Sequence, residues 1–127
     1  MKRILLDTQA VIWWDSNDPR LGGRARTLIQ GANEVYVSAA SAWEVTIKTA
    51  LGKLKATRAV SMVLAQNDFI ELPITVEHTE AVGRLPTHHA DPFDRLIIAT
   101  AIVEGLAVMT TDSKFSAYDV KVVDAHQ

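Results

Sequence analysis

Short aliphatic runs alternate with longer amphipathic stretches along the chain. The short runs predict buried strands and lie at 4–6, 35–37, 69–72, 107–109 and 120–123. The longer stretches predict helices and lie at 9–14, 22–30, 40–51, 58–66, 75–82 and 92–104. Because parallel strands need crossover connections of this length, the order predicts an α/β fold with a mainly parallel sheet of four to five strands and helices on both faces.

The composition narrows the class of protein. A length of 127 residues with 48% hydrophobic residues predicts one domain, 1–127, with an adequate core. The absence of cysteine excludes disulfides and thiolate metal sites and agrees with a cytoplasmic location. Asp7 interrupts the first apolar run before the ~7 to 15 residues of a signal peptide, and no run approaches the ~20 residues of a membrane span. We therefore expect a soluble protein without a membrane partner.

Four acidic residues stand near predicted strand ends or helix starts. Asp7 and Asp112 directly follow strands, Glu44 lies in the helix after the second strand, and Asp94 lies at the start of the helix before the fourth. In open α/β sheets, ligands bind beyond the carboxyl ends of the strands. Two unit charges ~4 Å apart at an effective dielectric of ~20 repel by about 4 kcal/mol, unless a cation lies between them. The pattern predicts an oxygen-ligand site for Mg²⁺, with Mn²⁺ as a substitute.

Each acid also has a structural interpretation. Glu44 follows Ser41, and Asp94 follows Asp91, at the three-residue spacing of a capping box. The other two acids could cap a helix or form a turn. Capping and metal binding are compatible, because a helix N-terminus stabilises a nearby carboxylate.

Four sequence motifs together resemble PIN-domain proteins of the VapC toxin type. The motifs are ILLDT at 4–8, SAASAWEVTIK at 38–48, LPTHHADPFDRLIIATA at 85–101 and TTDSKF at 110–115. Each motif alone is weak, but their order and spacing cover nearly the whole chain. The chain departs from the family pattern at Gln9, where many relatives carry His after Asp-Thr.

The resemblance implies a PIN-like three-layer α/β/α sandwich and a Mg²⁺- or Mn²⁺-dependent endoribonuclease, the toxin of a toxin–antitoxin pair. It implies that Asp7, Glu44 and Asp94 form the central acidic triad and that Asp112 is a more variable fourth acid. Thr110 matches the hydroxyl residue that accompanies this acid. The implied partners are RNA, a VapB-like antitoxin and a second copy of the chain.

Basic residues near the predicted acidic site are candidates for binding RNA phosphates. They are Lys48, Lys53, Lys55, Arg58 and Arg95. The alternative for the lysines and Arg58 is a solvated helix end, and Arg95 could instead pair with an acid. His88 and His89 lack the spacing of a metal pair, so we expect exposed loop histidines.

Two other interpretations of the chain remain open. A catalytically silent PIN-like module would keep the fold for RNA or protein contact, although the presence of all four acids argues against it. A phosphoacceptor signalling domain would carry adjacent acids after the first strand, whereas Thr8 follows Asp7. The tryptophans Trp13, Trp14 and Trp43 favour core or subunit packing over an antitoxin groove or base stacking.

Overall fold

A computed structural model, which describes residues 2–55 and 58–127, has a central sheet covered by helices. The strands are β1 (Arg3–Leu6), β2 (Glu34–Ser38), β3 (Ile70–Leu72), β4 (Ala107–Thr110) and β5 (Val122–Asp124). The helices are α1 (Thr8–Asp15), α2 (Gly23–Gly31), α3 (Ala39–Ala50), α4 (Val60–Asn67), α5 (Val76–Val82) and α6 (Pro92–Glu104), and a 3₁₀ helix spans Ser113–Ala117. No helix in these ranges is long and apolar enough to cross a membrane.

The five strands lie in the order β3-β2-β1-β4-β5, and all four pairings are parallel. This confirms the predicted α/β fold with a parallel sheet. Leu6 pairs with Val37 on one side and with Met109 on the other, so the three central strands end at the same level. Residues that follow these strands therefore share one edge of the sheet.

The central strand β1 packs against helices on both faces. Ile4 and Leu6 belong to a core cluster that includes Val11 of α1, whereas Leu5 lies in a second cluster with Ile97 of α6. Both faces of the sheet are thus buried, which explains why β1 is a continuous apolar run and not an alternating one. The arrangement is the predicted three-layer α/β/α sandwich.

A close backbone approach holds the C-terminal segment against the start of α2. The Gly22 amide donates to the Ala125 carbonyl at 2.9 Å, and the Arg24 amide donates to the Gln127 carbonyl at 2.9 Å. A Cβ at Gly22 would lie 2.1 Å from the Gln127 carbonyl carbon, whereas a Cβ at Gly23 would have no neighbour within 4 Å. Only the first of these adjacent glycines is required by packing.

We expect Gly22→Ala to lower the free energy of unfolding by ~1 to 3 kcal/mol, because the backbone of 125–127 must move away from α2. The matched control, Gly23→Ala, should be neutral or stabilising, since alanine is the better helix former. Urea denaturation followed by circular dichroism measures both. Equal stability of the two variants would contradict the proposed contact.

Candidate active site

The four predicted acids line one cleft of about 200 Å³ at the carboxyl edge of the sheet. Asp7 lies at its centre because β1 is the middle strand. The other described residues that line the cleft are Thr8, Gln9, Ile12, Lys48, Leu54, Asp91 and Thr111. The structure therefore brings together side chains that are up to 105 positions apart in sequence (Asp7 to Asp112).

Asp7 caps α1 and is only 4% exposed. Its Oδ1 accepts from the Ala10 amide at 2.8 Å and its Oδ2 accepts from the Thr111 amide at 3.3 Å, while the Thr110 hydroxyl also bonds to the carboxylate. Burial nevertheless raises the pKa of Asp7 from 3.8 to about 6, and repulsion from Glu44 adds to the rise. Asp7 therefore caps α1 and also has a carboxyl group with a raised pKa.

Glu44 lies on α3 and is 6% exposed. Its Oε1 accepts from the Thr8 hydroxyl at 2.6 Å, and its Oε2 lies 2.5 Å from Lys48 Nζ. The capping-box interpretation of Glu44 is wrong, because α3 already begins at Ala39 and is capped by Ser38. The Glu44 carboxylate instead belongs to the cleft, where Thr8 fixes one of its oxygens.

Asp94 reaches the cleft from the first turn of α6. Asp91 caps this helix, since its Oδ1 accepts from the amides of Phe93 at 2.8 Å and Asp94 at 3.1 Å. The Asp94 carboxylate is directed elsewhere, with Oδ2 2.9 Å from His89 Nε2. Burial first, and then repulsion from Asp91, Asp7 and Glu44, raise the pKa of Asp94 from 3.8 to about 7, which His89 partly offsets.

Asp112 follows β4 and caps the 3₁₀ helix. Its Oδ1 accepts from the Lys114 amide at 2.9 Å, and its own amide donates to the Thr110 hydroxyl oxygen at 3.0 Å. The second oxygen, Oδ2, lies 2.9 Å from His89 Nε2. Thr110 thus contacts both Asp7 and Asp112.

His89 differs from the prediction. The expected exposed loop histidine is a side chain only 10% exposed that contacts Asp94 and Asp112. Its loop is held by Arg95, whose guanidinium donates to the carbonyls of Pro86 at 2.9 Å, Val82 at 3.1 Å and, more weakly, His89 at 3.4 Å. The only sequence signal for His89 was its position five residues before a predicted catalytic acid.

The predicted basic residues occupy different places. Among the described residues that line the cleft, Lys48 is the only Lys or Arg, and its contact with Glu44 raises the pKa of its amine. Arg58 bonds to Asp15 and Gln66 and lines a neighbouring cavity with Lys55. Lys53 is exposed just beyond α3. Arg95 contacts backbone carbonyls, which is neither of the two roles considered for it.

The three tryptophans lie in different environments. Trp13 and Trp14 pack in or against the core on the α1 side, and Trp14 Nε1 donates to Asn67 Oδ1 at 3.0 Å. Trp43 is 57% exposed and makes an edge contact with Phe93, with ring centroids 5.1 Å apart. The core interpretation is therefore confirmed for Trp13 and Trp14 and is wrong for Trp43 as far as packing within one chain is concerned.

The donor set fits a hard divalent cation. The cleft offers carboxylate oxygens from both sides, and ligand atoms of His89, Asp94 and Asp112 lie within 4.8 Å of one another. The raised pKa values of Asp7 and Asp94 show that the carboxylates lack enough positive charge to offset burial and mutual repulsion. A bound Mg²⁺ or Mn²⁺ would supply that charge to an oxygen-rich shell.

Comparison with known proteins places this geometry in a family. The model of the PIN domain family matches residues 4–121. A relative, Ribonuclease VapC22 of Mycobacterium tuberculosis, is 30% identical over 137 aligned positions, with 93% of each chain covered.

Similar solved structures share the fold at low identity. VapBC2 from Rickettsia felis, bound to a DNA fragment from its promoter, has a TM-score of 0.72 at 16% identity, with 95% of this chain and 97% of that chain covered. FitAcB from Neisseria gonorrhoeae has a TM-score of 0.69 at 22% identity, with 96% and 97% covered.

The raised pKa of Asp94 predicts a stability cost in metal-free solution. A carboxyl with a higher pKa in the folded state loses stability as the pH rises from about 4 through about 7, because folding then disfavours the charge. We expect Asp94→Asn to be ~1 to 3 kcal/mol more stable than the parent at pH 8. The difference should vanish below pH 4, where the parent carboxyl is protonated.

Thermal unfolding across pH 3.5–8.5 in chelator-treated buffer measures this effect. Asp119→Asn, at an exposed position, is the matched control and should follow the parent at every pH. Mg²⁺ should raise the melting temperature of the parent more than that of Asp94→Asn. Parallel pH profiles for the parent and Asp94→Asn would contradict the predicted repulsion.

Proposed function

Because the chain belongs to the PIN domain family, we propose that it is a divalent-metal-dependent endoribonuclease that acts as the toxin of a toxin–antitoxin pair. The observation that carries this proposal is the convergence of Asp7, Glu44, Asp94 and Asp112 on one cleft. The relative named Ribonuclease VapC22 supports RNA as the substrate.

The proposed ion is Mg²⁺, with Mn²⁺ as a substitute, held by Asp7, Glu44, Asp94 and Asp112. Such an ion lowers the pKa of a bound water and polarises a phosphate oxygen. The protein fixes its own ligands beforehand: Thr8 bonds to Glu44, Thr110 to Asp7, and the Ala10 amide to Asp7. Carboxylates held in this way need little rearrangement to bind a cation.

The reaction proposed is hydrolysis of an RNA phosphodiester. A water oxygen attacks phosphorus and the 3′-oxygen leaves, so the products carry a 5′-phosphate and a 3′-hydroxyl. Asp7 and Asp94 would hold the ion that polarises the scissile phosphate, and Glu44 and Asp112 would add further carboxylate oxygens and orient the attacking water. No protein nucleophile is required.

Lys48 is the best-placed cation for the substrate. Its amine lies in the cleft beside Glu44, close enough to Asp91 and Asp94 for their charges to raise its pKa. An RNA phosphate that enters the cleft adds a second anion within reach of this amine. Lys55 and Arg58 line the neighbouring cavity and Lys53 is exposed just beyond α3, so we assign flanking phosphates to them, whereas Arg95 is already engaged with the backbone.

The proposed partners are an antitoxin of the VapB type and a second copy of the chain. Similar structures include VapBC from Salmonella typhimurium bound to DNA and a toxin–antitoxin complex from Klebsiella pneumoniae, at 18% and 21% identity. An antitoxin would neutralise the toxin by covering the acidic cleft. The proposed setting is the cytoplasm, where RNA and antitoxin are both available.

We expect the parent chain to cleave RNA in Mg²⁺, and Asp94→Asn and Asp7→Asn to lose at least ~100-fold in rate, because each removes a charged oxygen that stabilises the transition state. Sequencing of RNA ends after incubation with and without chelator measures cutting and end chemistry. Asp119→Asn, purified in parallel, is the control for contaminating nuclease.

Two results would contradict the proposed endoribonuclease activity. Cleavage that is equal in the parent and in both site variants would show that these acids are not the catalytic centre. RNA binding without metal-dependent cleavage would instead favour the silent binding module, which shares the fold but not the chemistry.

We expect Lys48→Met to weaken RNA binding and to reduce the slope of log affinity against log salt by about 1, because one phosphate contact is lost. Filter binding in an Asp94→Asn background keeps the RNA intact. Lys121→Met is the control, since this exposed lysine precedes β5 at the opposite edge of the sheet. An unchanged salt slope for Lys48→Met would exclude Lys48 as a phosphate ligand.

A further inference from the structure

We propose that His89 is a positioning residue that sets the metal-binding geometry by donating its Nε2–H to Asp112 and holding the Asp94 carboxylate beside the same ring nitrogen. This inference rests on the proposed function, because it assigns a role in the same metal site. It adds a histidine hydrogen-bond donor to a site that the sequence predicted from four acids and Thr110.

The contacts of the imidazole are short and two-sided. Nε2 lies 2.9 Å from Asp94 Oδ2 and 2.9 Å from Asp112 Oδ2. One carboxylate belongs to the start of α6 and the other follows β4, so the histidine joins side chains of two different elements at the cleft. The ring is 10% exposed and makes an edge contact with Phe115, with centroids 6.3 Å apart.

The other ring nitrogen determines which tautomer is present. The Asp91 amide donates to His89 Nδ1 at 3.3 Å, so Nδ1 must be an acceptor and carry no proton. The proton of the neutral ring therefore lies on Nε2, between the two carboxylates. The alternative, Nε2 as a metal ligand, requires the proton to move to Nδ1, where it would point at the Asp91 N–H.

Holding two carboxylates together has a cost that the histidine offsets. Asp94 is already repelled by Asp91, Asp7 and Glu44, and Asp112 carries a further negative charge at the same rim. The Nε2–H that bonds to Asp112 also lies beside the Asp94 carboxylate, so it attracts both and keeps their oxygens close. Such outer-sphere hydrogen bonds orient metal ligands, and their loss typically weakens metal affinity by about 10- to 100-fold.

Metal titration without RNA tests this role. We expect His89→Phe, which keeps a ring against Phe115 but has no donor, to bind Mg²⁺ about 10- to 100-fold more weakly than the parent by isothermal titration calorimetry. His89→Gln retains an N–H donor and should stay within about threefold of the parent. His88→Ala is the matched control, since His88 is exposed and its ring contacts Tyr118 instead of the acids.

Each remaining outcome rejects the inference. Parent-like affinity in His89→Phe would show that the bridge does not position the ligands. An equal loss in His89→Phe and His89→Gln, larger for Mn²⁺ than for Mg²⁺, would identify the ring nitrogen as a direct ligand. If the parent chain binds neither Mg²⁺ nor Mn²⁺, the proposed function is overturned as well. If the parent binds the ion and His89→Phe binds it equally well, only this inference is overturned.

Discussion

Burial of carboxylates that the fold also forces into mutual repulsion is the constraint on which the site depends. Because Asp7 is almost fully buried, its pKa rises to about 6, even though its hydrogen bonds favour the charged form. The pKa of Asp94 is raised further, to about 7, mainly by burial and then by repulsion from its acidic neighbours. A divalent ion bound among these carboxylates would relieve the burial cost and the repulsion together.

The sheet explains how this repulsion is sustained. β1 lies between β2 and β4 in parallel register, and both of its faces are covered by apolar clusters. Asp7 is the next residue after this rigid strand, so it cannot move to solvent without disrupting the core. Its amide donates to the Met109 carbonyl at 2.9 Å, which extends the ladder to the carboxylate itself. The free energy gained by burying the aliphatic side chains around β1 thus keeps the Asp7 carboxyl in a poorly solvated position.

Much of this architecture was predictable because its determinants are local. Aliphatic runs identify the strands, their helical connections imply parallel pairing, and acids that directly follow strands, such as Asp7 and Asp112, must share an edge. The predicted fifth strand, 120–123, begins later in the structure, at Val122, and the 3₁₀ helix after Asp112 was not predicted. These segments are short, and their boundaries depend on neighbouring elements.

The errors have tertiary causes. Glu44 looked like a capping residue because Ser41 precedes it by three, but α3 starts earlier, at Ala39, where β2 ends. His89 looked exposed because a polar loop surrounds it in sequence, but its ring contacts Asp94 at the start of α6 and Asp112 after β4. Neither periodicity nor spacing reports which way a loop folds back.

The Arg95 guanidinium joins the loop that contains Pro86 and His89 to the first turn of α6. Arg95 immediately follows Asp94, so the Asp94 carboxylate and the guanidinium that holds the Pro86 and Val82 carbonyls are carried by the same helical turn. Any displacement of that helix end would carry the histidine loop with it. The same turn of α6 thus fixes both the Asp94 carboxylate and, through Arg95, the backbone that carries His89, so the short distance between these two side chains is built into one local segment of the chain.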